Sequence, residues 1–305
     1  MSLLNSILYD MVYHSAPLIL CVLGGIFAYK ANVLNIALEG MMLLGAFTSA
    51  YFVMVTGNLW LGIVISVGLT IILGIVFALF SITFKSNFII TGLGINMFVL
   101  ALSGFMLQFK GLPNINVSNV VSTADLKINI PFIENIPILG PILSGHTVLT
   151  YFSFVCIILA SILMFKTKFG TYVRVVGENE EAAKSVGIKS DAIKYGAVLI
   201  GAFLCALAGA NLSVERTALY TNNMTAGRGF IAIAAIYCGR GMPVKSTLYA
   251  VVFGLTKSLS INLALNAGPI SGLFEMVPYV MMVIVLAVVS AIESSHTKLR
   301  GFRNE

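Results

Sequence analysis

From Leu59 to Phe84 the sequence carries no charged side chain. A helix exposed to water on one face needs polar residues every third or fourth position, so such a run cannot be an ordinary surface helix. It is instead long enough to cross a hydrocarbon core, which takes roughly 20 apolar residues. The run is not isolated. Comparable stretches occupy 12–29, 36–55, 88–107, 147–165, 195–214, 246–264 and 273–292, and a shorter one lies at 229–239. Of the 305 residues 58% are hydrophobic and 10% charged, against about 45–50% and 25% in soluble domains. Too little polar side chain remains to cover a water-facing surface, which excludes a soluble enzyme, a disordered chain and a nucleic-acid-binding domain. A membrane β-barrel would alternate in short segments, and these runs do not. The expectation is an all-α, polytopic integral membrane helical bundle. It would have about eight to ten spans, with 229–239 as one short or broken helix of the kind tolerated around protein cavities.

The basic residues set a direction. If Lys30, Lys85, the 166–194 segment, the 240–245 turn and the 293–305 tail share one side, that side holds 13 of the 18 Lys and Arg. By the positive-inside rule it is the cytoplasmic side, with the N-terminus outside and the C-terminus inside. Residues 1–16 hold no Lys or Arg, so no positive signal-peptide start is expected there and the first apolar run reads as a span. Two connections are long. Residues 108–146 carry four of the eight prolines, Pro113, Pro131, Pro137 and Pro141, and read as an extracytoplasmic loop. Residues 166–194 are dense in charge and read as a cytoplasmic loop, and 293–305 as a basic cytoplasmic tail.

Several chemistries have no sequence basis. There is no GxxxxGK[ST] phosphate loop, no HExxH and no GxSxG. His14, His146 and His296 are isolated in sequence, and Cys21, Cys156, Cys205 and Cys238 sit singly in apolar runs. No catalytic residue, metal ligand or nucleotide site of the chain's own is expected. Polar residues inside spans are the more informative ones, because they are costly in hydrocarbon and tend to face a bundle interior or a wet path. Asn35, Glu39, Asn96 and Glu275, with Phe230 at the short helix, are the candidate path residues. Glu39 and Glu275 also keep open an ion-coupled secondary carrier. In 195–214 the small residues Ala197, Gly201, Cys205 and Gly209 recur every fourth position, a face that lets helix backbones approach closely.

Three stretches together carry a resemblance. They are Asn35-Ile-Ala-Leu-Glu39-Gly40 running to Phe47; Gly170-Thr-Tyr-Val-Arg174 running through Gly177, Glu178, Asn179, Glu180, Glu181, Ala182 and Ala183 to Gly187; and Gly227-Arg228-Gly229-Phe230 running to Gly239-Arg240 and Pro243. In this order they resemble the permease subunits of bacterial ABC importers in the branched-chain amino acid, ribose and nucleoside group. The Leu38-Glu39-Gly40 form and the Gly-Arg-Gly-Phe start are most similar to the shorter permease of nucleoside importers. The resemblance implies a single transmembrane permease domain over 1–305 in the cytoplasmic membrane. It implies a second, homologous permease as heterodimer partner, two ATPase domains that bind ATP and Mg, and an extracytoplasmic substrate-binding lipoprotein. It also implies that Arg174, Gly177, Glu178, Asn179, Glu181, Ala182, Ala183 and Gly187 form the segment that docks on the ATPase. Sugar, branched-chain amino acid or riboflavin stay open as other cargoes of the same architecture.

Overall fold

The computed structural model describes residues 3–129, 139–264 and 271–301 of the chain. Its helices are α1 (Leu3–Lys30), α2 (Leu38–Thr56), α3 (Leu59–Ala78, continued by a π-helical turn Leu79–Thr83) and α4 (Phe88–Phe109). There follow α5 (Leu139–Leu143), α6 (Val148–Lys166), α7 (Lys168–Glu178), α8 (Glu180–Ser185) and α9 (Ser190–Ala210, continued by a π-helical turn Asn211–Glu215). The last are α10 (Arg228–Cys238), α11 (Pro243–Ala264), α12 (Ser271–Phe274) and α13 (Val277–Gly301). Eight helices among the described residues are long and apolar enough to cross a membrane, and α10 is the short one. The architecture is the helical bundle read from the sequence. Helix α13 continues to Gly301, so the backbone of the 293–305 segment is helical up to that residue.

Local chemistry sets the helix starts. Asn58 accepts hydrogen bonds from the backbone N–H of Trp60 and Leu61 to cap α3, and Asn87 does the same for Ile89 and Ile90 in α4. A side-chain acceptor at this position satisfies backbone donors that the first turn leaves unpaired. Gly57 ends α2 in the left-handed conformation, at φ 67°, where a side chain would be strained.

Helices α1, α2 and α9 form the centre. The apolar windows of α1 and α9 are 83% buried and that of α2 is 78% buried, against 6% for the last helix. Their contact is close because it is made of small residues. A methyl group on Gly24 would sit 3.0 Å from the carbonyl oxygen of Gly201, and one on Gly45 would sit 2.7 Å from Cα of Ala206. One on Gly209 would fall onto the backbone of Met42 and Ala46. Cys205 Sγ lies 3.6 Å from Cys21 Sγ. The stripe Ala197, Gly201, Cys205, Gly209 thus faces α1 and α2, with Ala197 and Cys205 fully buried. Around this centre α3, α4, α6 and α13 expose large apolar side chains such as Ile90, Met97, Phe109, Ile158 and Val283, as helices bathed in lipid do.

The connections sort to two ends. At one end Gly177 packs on Lys30 and Gly241 packs on Tyr29. There Thr83 Oγ1 also lies 2.6 Å from Tyr195 Oη. At the other, the two-residue strands β1 (Ile115–Asn116), β2 (Lys127–Ile128), β3 (His146–Thr147) and β4 (Leu219–Tyr220) pair antiparallel as β1 with β4 and β2 with β3. The Tyr9 hydroxyl donates to the Gly145 carbonyl there, at 2.8 Å.

Candidate functional site

Two segments enter the bundle and stop inside it. After α1 the chain turns at Asn32, φ 57°, and runs back in. The Asn96 side chain receives it: its Nδ2 donates to the Ile36 carbonyl at 3.0 Å and its Oδ1 accepts from Gly40 N–H at 2.8 Å. Asn35 Oδ1 accepts from Ala37 N–H at 3.0 Å. Because Asn96 lies two turns into α4, α2 begins within the bundle and not at its end. From the opposite side 221–227 leads to α10, whose 11 residues rise about 16 Å, roughly half the hydrocarbon thickness.

The two segments meet at Glu39. Its Oε1 accepts from Thr225 Oγ1 at 2.5 Å and from Gly227 N–H at 2.8 Å, and its Oε2 accepts from Gly229 N–H at 2.6 Å. Glu39 therefore caps α10, where a negative group also suits the positive end of the helix dipole. The glycines follow from this contact. Gly227 has φ 79°, and a methyl group on Gly229 would come within 2.5 Å of Glu39 Cα. Glu39, Asn35 and Asn96, all proposed from the sequence as path residues, have the atoms named here engaged in holding backbone. Phe230 and Glu275 are exposed.

A second buried carboxylate, missed by sequence reading, does similar work. Glu215 is fully buried; it accepts from Leu149 N–H at the start of α6 and from Asn211 Nδ2 at 3.0 Å. The π-helical turn 211–215 places Asn211 and Glu215 together. Only its position at the end of a span could have signalled Glu215.

The 166–194 segment folds as an elbow. Thr167 Oγ1 caps α7 by accepting from Gly170 N–H at 3.2 Å, and Asn179 Oδ1 caps α8 by accepting from Ala182 N–H at 3.0 Å. α7 is held down by its glycines: a methyl group on Gly177 would fall onto the Lys30 carbonyl oxygen, and one on Gly170 onto the backbone of Leu163 and Met164. Arg174 lies half-buried, its guanidinium 5.3 Å from the centre of the Phe165 ring. Beside it a cavity of about 670 Å³ separates α7 from the 32–34 turn and Tyr237 of α10.

Glu180 fastens the elbow to the bundle. Its carboxylate meets Lys184 Nζ at 2.7 Å and Lys194 Nζ at 2.5 Å. Hydrogen bonds from these two lysines hold its pKa down at about 2. Ala183 is buried under α8, whereas Glu178, Asn179, Glu181, Ala182 and Gly187 are exposed and Val186 is 74% exposed. Gly187 turns the chain at φ 83°. The elbow thus presents a small-residue tip, rimmed by Glu178 and Glu181, at one end of the bundle. Lys194 on α9 makes the tie to the bundle, since Lys184 lies within α8 itself, although the sequence shows Lys194 only as one charge among many.

Among the described residues no group of three or more His, Cys, Asp or Glu is placed to hold a metal ion, and the four cysteines are buried free thiols. The whole arrangement is a helical bundle with two interrupted segments and a charged elbow at one end. Residues 7–286 match the family described as the permease component of the branched-chain amino acid transport system. The chain belongs to this permease family. It is 32% identical to the nucleoside ABC transporter permease protein NupC of Lactococcus lactis subsp. cremoris, over 93% of this chain and 92% of that protein. It is also 32% identical to the guanosine ABC transporter permease protein NupQ of Bacillus subtilis, over 92% of this chain and 88% of that protein. A solved inward-facing conformation of a metal-chelate type ABC transporter shares the fold, with a TM-score of 0.50 at 15% identity over 93% of this chain and 85% of that one. The chain is therefore a multi-pass transport subunit, not itself the ATPase, and works with an ATPase and a binding protein. Membership of this family removes the ion-coupled secondary carrier.

Proposed function

We propose that this permease carries nucleosides inward across a bacterial cytoplasmic membrane, as one half of a heterodimer with a second permease. The observation that carries the cargo is the similarity to NupC and NupQ, each named for nucleoside or guanosine transport and each matched over nine-tenths of the chain. The interior chemistry supports it. The two carboxylates buried among the described residues, Glu39 and Glu215, are engaged as helix caps, so neither is held ready for a cation. A neutral, polar cargo asks for no such charge.

In this reading the elbow end is cytoplasmic, with the N-terminus outside and the C-terminus inside. Residues 108–146 form an extracytoplasmic loop against which the binding lipoprotein delivers cargo. ATP and Mg bind to two partner ATPase domains, whose closure pushes on the elbow tip around Ala182 and Val186. The push passes from Gly177 to the Lys30 carbonyl at the end of α1. From there it reaches Tyr29 and Gly241 at the end of α10. Because Glu39 ties the other end of α10 to the start of α2, a tilt of α10 moves both interrupted segments together. Such coupled movement of half-entering segments is how a passage changes sides without exposing backbone to lipid.

Uptake of labelled guanosine and adenosine tests the cargo, in cells that carry or lack the chain and have no other nucleoside carrier. Excess ribose, leucine and riboflavin serve as competitors. Loss of nucleoside uptake on deletion, insensitive to all three competitors, is expected. Unchanged nucleoside uptake in cells shown to express the chain would overturn the cargo.

A further inference from the structure

We propose that a small cavity lined by α1, α10, α11 and α13 binds a monatomic anion of chloride size, held by Arg228 and Lys257. The cavity is about 30 Å³, and His14, Arg228, Lys257 and Tyr279 are the polar side chains on its wall. That volume takes one water-sized species. It is too small for a nucleoside, which keeps it distinct from any cargo site.

The wall is rich in donors. Arg216 is 9% exposed, lies 3.5 Å from the centre of the Tyr13 ring, and points Nη2 at His14 Nδ1 at 3.0 Å. A neutral imidazole that accepts at Nδ1 carries its proton at Nε2, so the His14 ring is a donor as well. The Tyr279 hydroxyl already donates to the Ala226 carbonyl. The guanidinium of Arg228 is fixed by Nη1, which donates to the carbonyls of Met224 at 2.6 Å and Thr225 at 3.0 Å.

The neighbouring carboxylates act on these cations only through space, Glu275 on Lys257, Glu39 on Arg228 and Asp10 on Arg216, and none forms an ion pair with them among the described residues. Among the described residues the ion pairs are those of Glu180 with Lys184 and Lys194, at the far end of the bundle. The carboxylate of Glu39 is engaged with Thr225, Gly227 and Gly229. Arg216 Nε and Nη1 make no hydrogen bond, although the guanidinium lies over the Tyr13 ring. Three cations in a membrane interior, two of them on one small cavity, are costly unless paired. Leu18, Ala226, Ile231, Phe253 and Pro278 supply the apolar remainder of the wall, a setting in which a single bound anion interacts strongly with each donor.

The test uses the purified transporter complex. Thermal unfolding is compared in sodium chloride and in sodium gluconate at equal ionic strength, for the wild type and for Lys257→Met. A ligand that binds the folded state raises its midpoint in a saturable way. The expected result is a midpoint about 2 °C or more higher in chloride for the wild type, absent in Lys257→Met. Crystals of the wild-type complex grown in bromide give a second readout that does not depend on the variant folding. An anomalous peak in the cavity beside Lys257 Nζ is expected. Equal midpoints in the two salts, an undiminished chloride effect in Lys257→Met, or density there for a lipid phosphate or a partner's carboxylate would each overturn the proposal.

Discussion

Replacing Glu39 by Gln changes one atom type and tests whether this residue is a cap. In the wild type Oε1 accepts from Thr225 Oγ1 and Gly227 N–H, and Oε2 accepts from Gly229 N–H. The amide oxygen of Gln can keep the first two as neutral bonds, but its NH2 group then faces the N–H of Gly229, donor against donor. Glu39 is 7% exposed, so little water can relieve the mismatch. A hydrogen bond to a charged group is worth about 1.5–3 kcal/mol, and an unpaired buried donor costs about 1–3 kcal/mol. These overlap in part, giving an expected loss of about 2–4 kcal/mol. In a chain of this length that lowers the unfolding midpoint by about 5 °C or more. The assay is thermal unfolding of the purified complex, with fluorescence-detected size-exclusion chromatography as readout. Hydrogen exchange should rise first in 225–238. A midpoint within 1 °C of wild type, joined to a specific loss of substrate affinity, would refute the capping argument and return Glu39 to the transport path.

Three further outcomes follow from the same contacts. Gly177→Ala places a methyl group on the Lys30 carbonyl oxygen; overpacking of this kind costs about 1–3 kcal/mol, and α7 should lift, seen as faster hydrogen exchange in 168–178 while α1–α4 stay unchanged. Gly209→Val drives a side chain into the Met42–Ala46 backbone and should sharply reduce the amount of folded protein in the membrane, whereas Ala218→Gly, away from that contact, should leave it near wild type. The pKa of Glu180 is lowered, to about 2, so its ion pairs add stability above the ordinary carboxylate range and lose it progressively as pH falls from that range through about 2. Exchange in 180–194 should therefore be flat from pH 7 to pH 5 once corrected for intrinsic rates, and Lys194→Met should raise it throughout; a wild-type transition near pH 5 would contradict this.

What was legible in the sequence was whatever local chemistry dictates. The charge-free run from Leu59 predicted α3 with its π-helical turn to within a residue, because apolar length is local. The four-residue spacing of Ala197, Gly201, Cys205 and Gly209 reads as a close-packing face without knowledge of its partners. The elbow stands out because small and charged residues interrupt the apolar pattern. What was not legible depends on pairing across the fold. Glu39 and Gly229 are 190 residues apart, and a single glutamate in a span gives no sign whether its oxygens meet cargo or backbone. The same holds for Lys194, which the sequence shows as one charge among many and the fold places on Glu180. Arg228 reads as a loop charge in sequence, yet the entry of 221–227 into the bundle brings it to an interior cavity. The start of α1 at Leu3 also lies beyond the apolar run, since helix propensity continues past the residues that lipid demands.

Coupled transport through the elbow is tested most directly by ATP-driven uptake of labelled guanosine into vesicles containing the reconstituted complex. Wild type is compared with Ala182→Asp, whose side chain is exposed at the elbow tip and whose neighbour Ala183 stays buried and unaltered. The account predicts at least about a tenfold loss of uptake, with the unfolding midpoint unchanged, because an exposed substitution of this kind shifts stability by only about 0.5 kcal/mol. Uptake at the wild-type rate in Ala182→Asp, with the variant shown to be present at the wild-type level, would contradict it.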